Sequence, residues 1–425
     1  MLRYRLLAVN VAGVASARLA PMGATTGGRL TRVSSRARRR SLFATVLATI
    51  MAYSTFSQFA FGVLAGFLID EFSISRSELG FLTTGLFLVG GIGSPYAGML
   101  VDRFGARRMA ISSAVMVALA FLAMAGAPSY SWMLVAATCA GGALASCNPI
   151  TNKLVALHIS AGERGLTMGV KQAGVQVGAF VIGLALPALA SSQGWRTAVG
   201  VLALVPVLAV ALIAWLIPAD ETTERAHGPR LARRRLEPAV WWMTGYAFLM
   251  GAGVAGFSAY LPLYIEEDLG RSVGTAGAVV GVIGLVGILA RVALGWVSER
   301  LGRFALSLVV MGAGSVGATL LILGTGPDTT WILWFAAALF GASAITWNTV
   351  GMIAVLSEVG DEDAGRASGY VQSGFYGGFA VSPILFGYSV DTTGEYTIGW
   401  IGVTVAFIVA TLVATLWHRS RAEEP

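Results

Sequence analysis

The sequence predicts an all-α membrane protein of twelve transmembrane helices, arranged as two pseudo-symmetric six-helix bundles with both termini in the cytoplasm. Three observations carry this: a composition too apolar for a water-solvated domain, twelve apolar stretches of spanning length, and a set of motifs that returns in the second half. Of 425 residues, 56% are apolar and 12% charged, with a mean hydropathy of +0.73. A soluble domain has about 25% charged residues.

A bilayer core takes roughly 20 apolar residues per helix. The twelve stretches lie at 42–68, 79–101, 109–127, 132–157, 166–190, 197–217, 239–265, 273–297, 305–323, 331–356, 367–390 and 396–417. Charge in the connections orients each in turn. Arg103, Arg107 and Arg108 follow the second span, Arg164 the fourth, and Arg225, Arg230, Arg233, Arg234 and Arg235 the sixth. Arg300 and Arg303 follow the eighth, Arg366 the tenth, and Arg419 and Arg421 the last. The alternate connections hold only Arg76, Arg196 and Arg271, so the positive-inside rule places both termini in the cytoplasm. Trp132, Trp195 and Trp331 mark outer ends; Trp241, Trp242, Trp296 and Trp417 mark inner ends. The net charge of +7 is therefore a topology signal, with no basic soluble domain for nucleic acid.

The implied organisation is a basic cytoplasmic tail over 1–41, expected to be disordered, a first bundle over 42–217, a linker over 218–238, a second bundle over 239–418 and a tail over 419–425. The apolar stretch 6–17 precedes the basic run 36–40. A cleaved signal would leave that run outside, which favours a cytoplasmic tail or an over-extended start. Cys139 and Cys147 are two turns apart on one helix, about 12 Å, too far for a disulfide.

The two halves align residue by residue. Gly98-x-x-x-Asp102-Arg103-x-Gly105 returns 197 positions later as Gly295-x-x-x-Glu299-Arg300-x-Gly302. With an offset of 200, Gly141 and Asn148 map onto Gly341 and Asn348, and Gly169, Gln172, Gly174 and Gly178 onto Gly369, Gln372, Gly374 and Gly378. Internal repeats of this kind are characteristic of secondary transporters, with the solute held between the copies near mid-membrane. Asp102, Arg103, Arg107 and Arg108, with Gly98 and Gly105 and the copy at Glu299 and Arg300, read as a conformational latch. Fork-shaped guanidinium groups offer partners for the acid and for helix ends across the interface. Plain positive-inside topology would need the arginines but neither the acid nor the glycines.

The loop over 98–108, Gly-Met-Leu-Val-Asp-Arg-Phe-Gly-Ala-Arg-Arg, resembles the signature between helices 2 and 3 of the major facilitator superfamily. The resemblance covers nearly all of the chain after residue 41. It implies two six-helix bundles rocking about a central cavity, and it says little about the solute.

Ionisable groups inside a span are costly and tend to face a cavity. The only two lysines, Lys153 and Lys171, lie in the fourth and fifth spans, and Arg291 lies in the eighth. Lys171, about 9 Å in from Gly165, either faces a cavity or snorkels to the headgroups. Lys153 carries the same alternatives. Arg291 stands about 13 Å in from Arg300, and its repeat counterpart is Ser94. Asp70, Glu71, Glu266, Glu267, Asp268 and Glu358 all lie at span ends, so no mid-membrane acid balances these cations and an anion is the simplest partner. Asn148, Asn348, Gln172, Gln372 and Tyr376 complete the candidate substrate-binding set, the amides serving as a cavity floor or inter-helix clamp or, equally, as packing glue.

The expected activity is secondary or facilitative transport of a small organic anion of carboxylate type, with a proton or a counter-anion as possible co-solute, by a monomer in the bacterial cytoplasmic membrane. The segment 289–295 around Arg291 resembles helix 8 of monocarboxylate and oxalate/formate porters, and 61–79 resembles bacterial members of that branch. Gly287 stands where the monocarboxylate pattern has an acid. Proton-coupled drug efflux is the rival reading, but Lys153 replaces the fourth-span arginine of such antiporters and Gly174-Val175 replaces their Gly-Pro. His158, His227 and His418 have no metal-site spacing and no phosphate-cradling Gly-Lys-Ser/Thr string exists. No metal, cofactor or enzymatic chemistry is expected.

Overall fold

The computed structural model describes residues 41–74, 76–219 and 236–422. The basic run 36–40 and the linker arginines from Arg225 to Arg235 lie outside the described residues. Every described secondary-structure element is helical.

Helices α1 (Ser41–Ser54) and α2 (Phe56–Val63) form one span bent by 42°. Thr55 sits in the bend and returns its hydroxyl to the carbonyls of Met51 and Ala52 at 3.1 and 2.9 Å, the side-chain insertion that kinks helices. Helix α3 (Ala65–Phe72) carries that chain to the first loop. Helices α4 (Arg76–Phe104) and α5 (Ala106–Ala125) are divided by Gly105 at φ 92°, a value that favours glycine. Then come α6 (Tyr130–His158) and α7 (Arg164–Gln193), with α8 (Trp195–Leu202) and α9 (Leu204–Leu216) completing the first half.

The second half runs α10 (Pro238–Leu263), α11 (Val273–Leu301), α12 (Phe304–Leu323), α13 (Ile332–Ala342), α14 (Trp347–Glu358), α15 (Ala364–Thr393) and α16 (Thr397–Ala422). Pro238 occupies the first turn of α10, where its missing N–H costs nothing. Residues 343–346 form a widened turn between α13 and α14, with the Ile345 N–H reaching five residues back to the Phe340 carbonyl, so the tenth span is interrupted near its middle.

Ten of these spans are long and apolar enough to cross a bilayer, and the bent α1–α2 pair makes eleven. The twelfth is α15, a continuous helix of 30 residues whose composition is too polar to stand out. Its polar side chains are turned inward: Ser368, Gln372 and Tyr376 are all buried. Protein, and not lipid, solvates that face.

Glycines set how closely the spans approach. A Cβ on Gly141 of α6 would meet the Leu86 carbonyl of α4 at 2.6 Å, and its repeat partner Gly341 would meet Ile283 of α11 at the same distance. Gly174 and Gly178 of α7 abut Ala48 and Ala52 of α1, whereas Gly374 and Gly378 of α15 abut Thr244 and Phe248 of α10. Gly165 and Gly169 of α7 instead meet Gly295 and Arg291 of α11, the eighth span. Gly183 has nothing within 4 Å. The halves therefore meet along α7–α11 and α4–α15 at the basic end of the bundle. Towards the other end, Gly183 of α7 and Gly277, Gly281 and Gly284 of α11 face open space.

At that far end Arg196 bridges to Glu71 at 3.0 Å and Trp195 donates its indole N–H to the same carboxylate. The Arg196 bond, then the Trp195 bond, hold the Glu71 carboxyl below the usual carboxylate range. Trp195 is thereby packed inside, as is Trp417, so neither serves as an interfacial anchor.

Candidate functional site

Four helices, two from each half, interlock at mid-depth through side-chain amides. Asn148 of α6 donates to Gln372 of α15 at 2.7 Å, while Gln172 of α7 donates to Asn348 of α14 at 2.9 Å. Each asparagine thus pairs with the repeat-equivalent glutamine of the opposite half. This is a pseudo-two-fold exchange of hydrogen bonds, and it crosses between bundles, which packing glue inside one bundle would not do. All four side chains are buried. Tyr376 lies beside them, its hydroxyl 3.4 Å from the Leu144 carbonyl and 4.0 Å from Cys147 Sγ. Phe87 and Phe379 pack next to it with tilted rings, centroids 5.1 Å apart, and give the site an aromatic wall.

Two cations enter this frame where the repeat does not demand them. Lys171 is 0% exposed and donates to Asn148 Oδ1 at 3.2 Å and to Asn152 Oδ1. It does not reach towards a headgroup layer. Arg291 of α11 is 7% exposed. Its Nε and Nη2 donate to the Ile345 carbonyl at 3.2 and 2.9 Å, and its Nη1 donates to the Gln172 carbonyl at 2.7 Å and to Gln176 Oε1. The break over 343–346 is what frees the Ile345 carbonyl, since an unbroken helix would use it internally. In the first half Ser94 donates to the equivalent carbonyl, Ala145, at 3.1 Å. Arg291 therefore occupies a position where the other half needs only a hydroxyl. Neither Lys171 nor Arg291 has a carboxylate within ion-pair distance among the described residues.

Lys153 is placed elsewhere. The sequence grouped it with Lys171, but its ammonium pairs with Asp102 at 2.9 Å and donates to the carbonyls of Asp361 and Glu362 at 2.5 and 2.8 Å. It belongs to the contact at the basic end, away from the amides. There Asp102 of α4 accepts from the N–H groups of Gly365 and Arg366 at 3.3 and 2.8 Å, the first turn of α15. Glu299 of α11 accepts from the N–H groups of Arg164 and Gly165, both at 2.6 Å, the first turn of α7. Each repeat acid caps a helix of the opposite half, where orphan N–H groups and the helix dipole favour a negative charge.

The arginines expected to face these acids do other things. Arg107 donates to the Ala214 carbonyl at 2.6 Å, Arg103 lies over Phe104, and Arg300 lies over the Trp296 ring at 3.9 Å. Arg108 also has a partner within the fold. Backbone N–H groups are the nearer donors because Gly98 and Gly165 let the helices touch, leaving no room for a guanidinium between them. Arg164 adds a second bridge between halves, to Asp361 at 3.3 Å.

The sequence passed over Ser368, which accepts from Asn152 at 2.8 Å, and the Ile345 carbonyl. A serine in a Gly-rich helix gives no signal of its own, and a backbone acceptor gives none at all. Asn152 and Gln176 each stand one turn on from Asn148 and Gln172, on the same helix face.

Known proteins agree with this architecture. The chain is 28% identical to a probable nitrate/nitrite transporter, NarK2, of Mycobacterium tuberculosis, over 86% of this chain and 92% of that one. It is 24% identical to a cis,cis-muconate transport protein of Acinetobacter baylyi, over 84% and 88% respectively. Among solved structures, the human organic anion transporter MFSD10 superposes with a TM-score of 0.72 at 15% identity, covering 88% of this chain and 99% of that one. FucP in its outward conformation superposes with a TM-score of 0.68, again at 15% identity, over 88% and 98%. The family model of the Major Facilitator Superfamily matches residues 42–362, and the chain belongs to that superfamily of multi-pass membrane transporters.

Proposed function

We propose that this protein carries a small organic anion of carboxylate type across a bacterial cytoplasmic membrane by alternating access, with Arg291 and Lys171 as its anion-binding cations. The observation that carries the reading is Arg291: a buried guanidinium at the junction of the two halves, held only by carbonyl and amide oxygens. A buried charge without a counter-charge is costly, and a carboxylate presented to a planar fork is its natural complement. Relatives named for nitrate/nitrite and for muconate support an anion over a lipophilic drug cation. On this reading Asn148, Gln172, Asn348, Gln372 and Tyr376 form the partition that parts when the bundles rock. Asp102 and Glu299 hold the basic, cytoplasmic end shut, and a proton or counter-anion accompanies the solute through a monomer.

Uptake of radiolabelled carboxylates into proteoliposomes tests the proposal. Arg291→Gln should lower uptake about 10- to 100-fold, the loss expected for one charged hydrogen-bonding partner worth about 1.5–3 kcal/mol. Arg291→Lys, which keeps the charge but not the fork, should fall between. Wild-type flux of lipophilic cations with no carboxylate flux, or unchanged uptake by Arg291→Gln, would overturn it.

A further inference from the structure

Charge balance across the middle of the membrane bears on the solute itself. All 22 acidic residues of the chain lie in connections, tails or span ends. Asp102, at one such end, is taken by Lys153 at 2.9 Å. Lys171 and Arg291 are left as two positive charges in the buried centre, and their partners are dipoles that orient them without neutralising them.

The two charges share one hydrogen-bonded network. Arg291 donates to the Gln172 carbonyl at 2.7 Å, the Gln172 amide donates to Asn148 Oδ1 at 3.2 Å, and that same oxygen accepts from Lys171 at 3.2 Å. Gln172 and the Asn148 side chain therefore stand between them. At such range in a low-dielectric interior like charges repel strongly. A monoanion would cancel only one of them.

Donor counting points the same way. A guanidinium has five N–H groups and an ammonium three. Four from Arg291 and two from Lys171 find partners among the described residues. Each cation keeps one N–H open, so each can hold one end of a ligand while still held by the protein. The repeat counterparts, Ser94 and Val371, carry no charge, so the symmetric frame does not require either cation.

We infer that the solute is a dianion, a small dicarboxylate, with one end on Arg291 and the other on Lys171. This rests on the reading of these two residues as the anion site. The amide partition would open around the carbon chain, and Lys171 would decide between dicarboxylates and monocarboxylates of equal length.

The test is competition for uptake in proteoliposomes holding the full chain, at a pH where both carboxylates are ionised. Succinate, glutarate and adipate are compared with butyrate, valerate and hexanoate. Wild type should take dicarboxylates with a half-saturation concentration at least about tenfold lower than the matched monocarboxylates, one charge-assisted contact's worth. Lys171→Gln should erase that difference by weakening dicarboxylates more than monocarboxylates, and Lys171→Arg should restore part of it. A monodisperse gel-filtration profile matching wild type reports that the purified Lys171→Gln protein is folded. If it does not fold, the wild-type series decides. Equal or reversed preference in wild type, or equal weakening of both classes in Lys171→Gln, overturns the dianion. Flux of neither class overturns the carboxylate reading beneath it.

Discussion

Lys153 and Lys171 are eighteen positions apart on neighbouring helices, and sequence alone offers no reason to treat them differently. Depth was legible; direction was not. Lys153 finds Asp102 because α6 leans on α4 at the basic end, whereas Lys171 turns into α6 and meets two asparagines. A helix-face argument locates a side chain on a cylinder, and only packing says what waits opposite. Because the Lys153–Asp102 side chains are about nine-tenths buried, removing one partner strands the other. Asp102→Asn should destabilise the closed basic end by about 3–5 kcal/mol. The measurement is uptake rate together with accessibility of residues near Arg366 to reagents added from the basic side. Uptake as fast as wild type, with no gain in accessibility, would remove the latch from the account.

Among the helices, α15 shows most clearly where pattern reading works by a different route from hydropathy. Its apolar content falls short of an ordinary span, yet the repeated Gly369, Gln372, Gly374 and Gly378 identified it as the copy of α7. The break between α13 and α14 had no such signature. Its counterpart in the first half, around Ala145 of α6, is continuous, so the repeat argued against it. Close helix contact is equally testable. A Cβ on Gly98 would collide with the Gly365 backbone of α15. Backbone cannot yield as a flexible side chain can, so Gly98→Leu should wedge α4 from α15. Cys147, buried beside Tyr376, is the reporter, on a Cys139→Ser background that removes the exposed thiol. Labelling of Cys147 by a water-soluble maleimide should rise severalfold in the Gly98→Leu variant. No change would mean the two helices do not separate where their glycines meet.

At the scale of the whole molecule, the two-half plan and the pairing of Asn148, Asn348, Gln172 and Gln372 were legible because duplication leaves its trace in residue spacing. What could not be read was that each amide would find the other half's partner, since repeats align in sequence without saying how they face. The same facing makes the two closures at the basic end unequal. Asp102 has an ammonium beside it; Glu299 has no ion pair among the described residues, and the repeat counterpart of Lys153 is Ile353. One edge is fastened by backbone and a buried ion pair, the other by backbone and the Arg164–Asp361 bridge, whose carboxylate is more than half exposed and so weakly held. Opening then has an order in time: α7 should leave α11 before α15 leaves α4, so the bundles swing like a door hung on the Asp102 side. Fluorescent pairs across each edge, followed in single molecules, should show the Glu299 edge lengthening first, and Glu299→Gln should quicken that step while leaving the Asp102 edge unhurried.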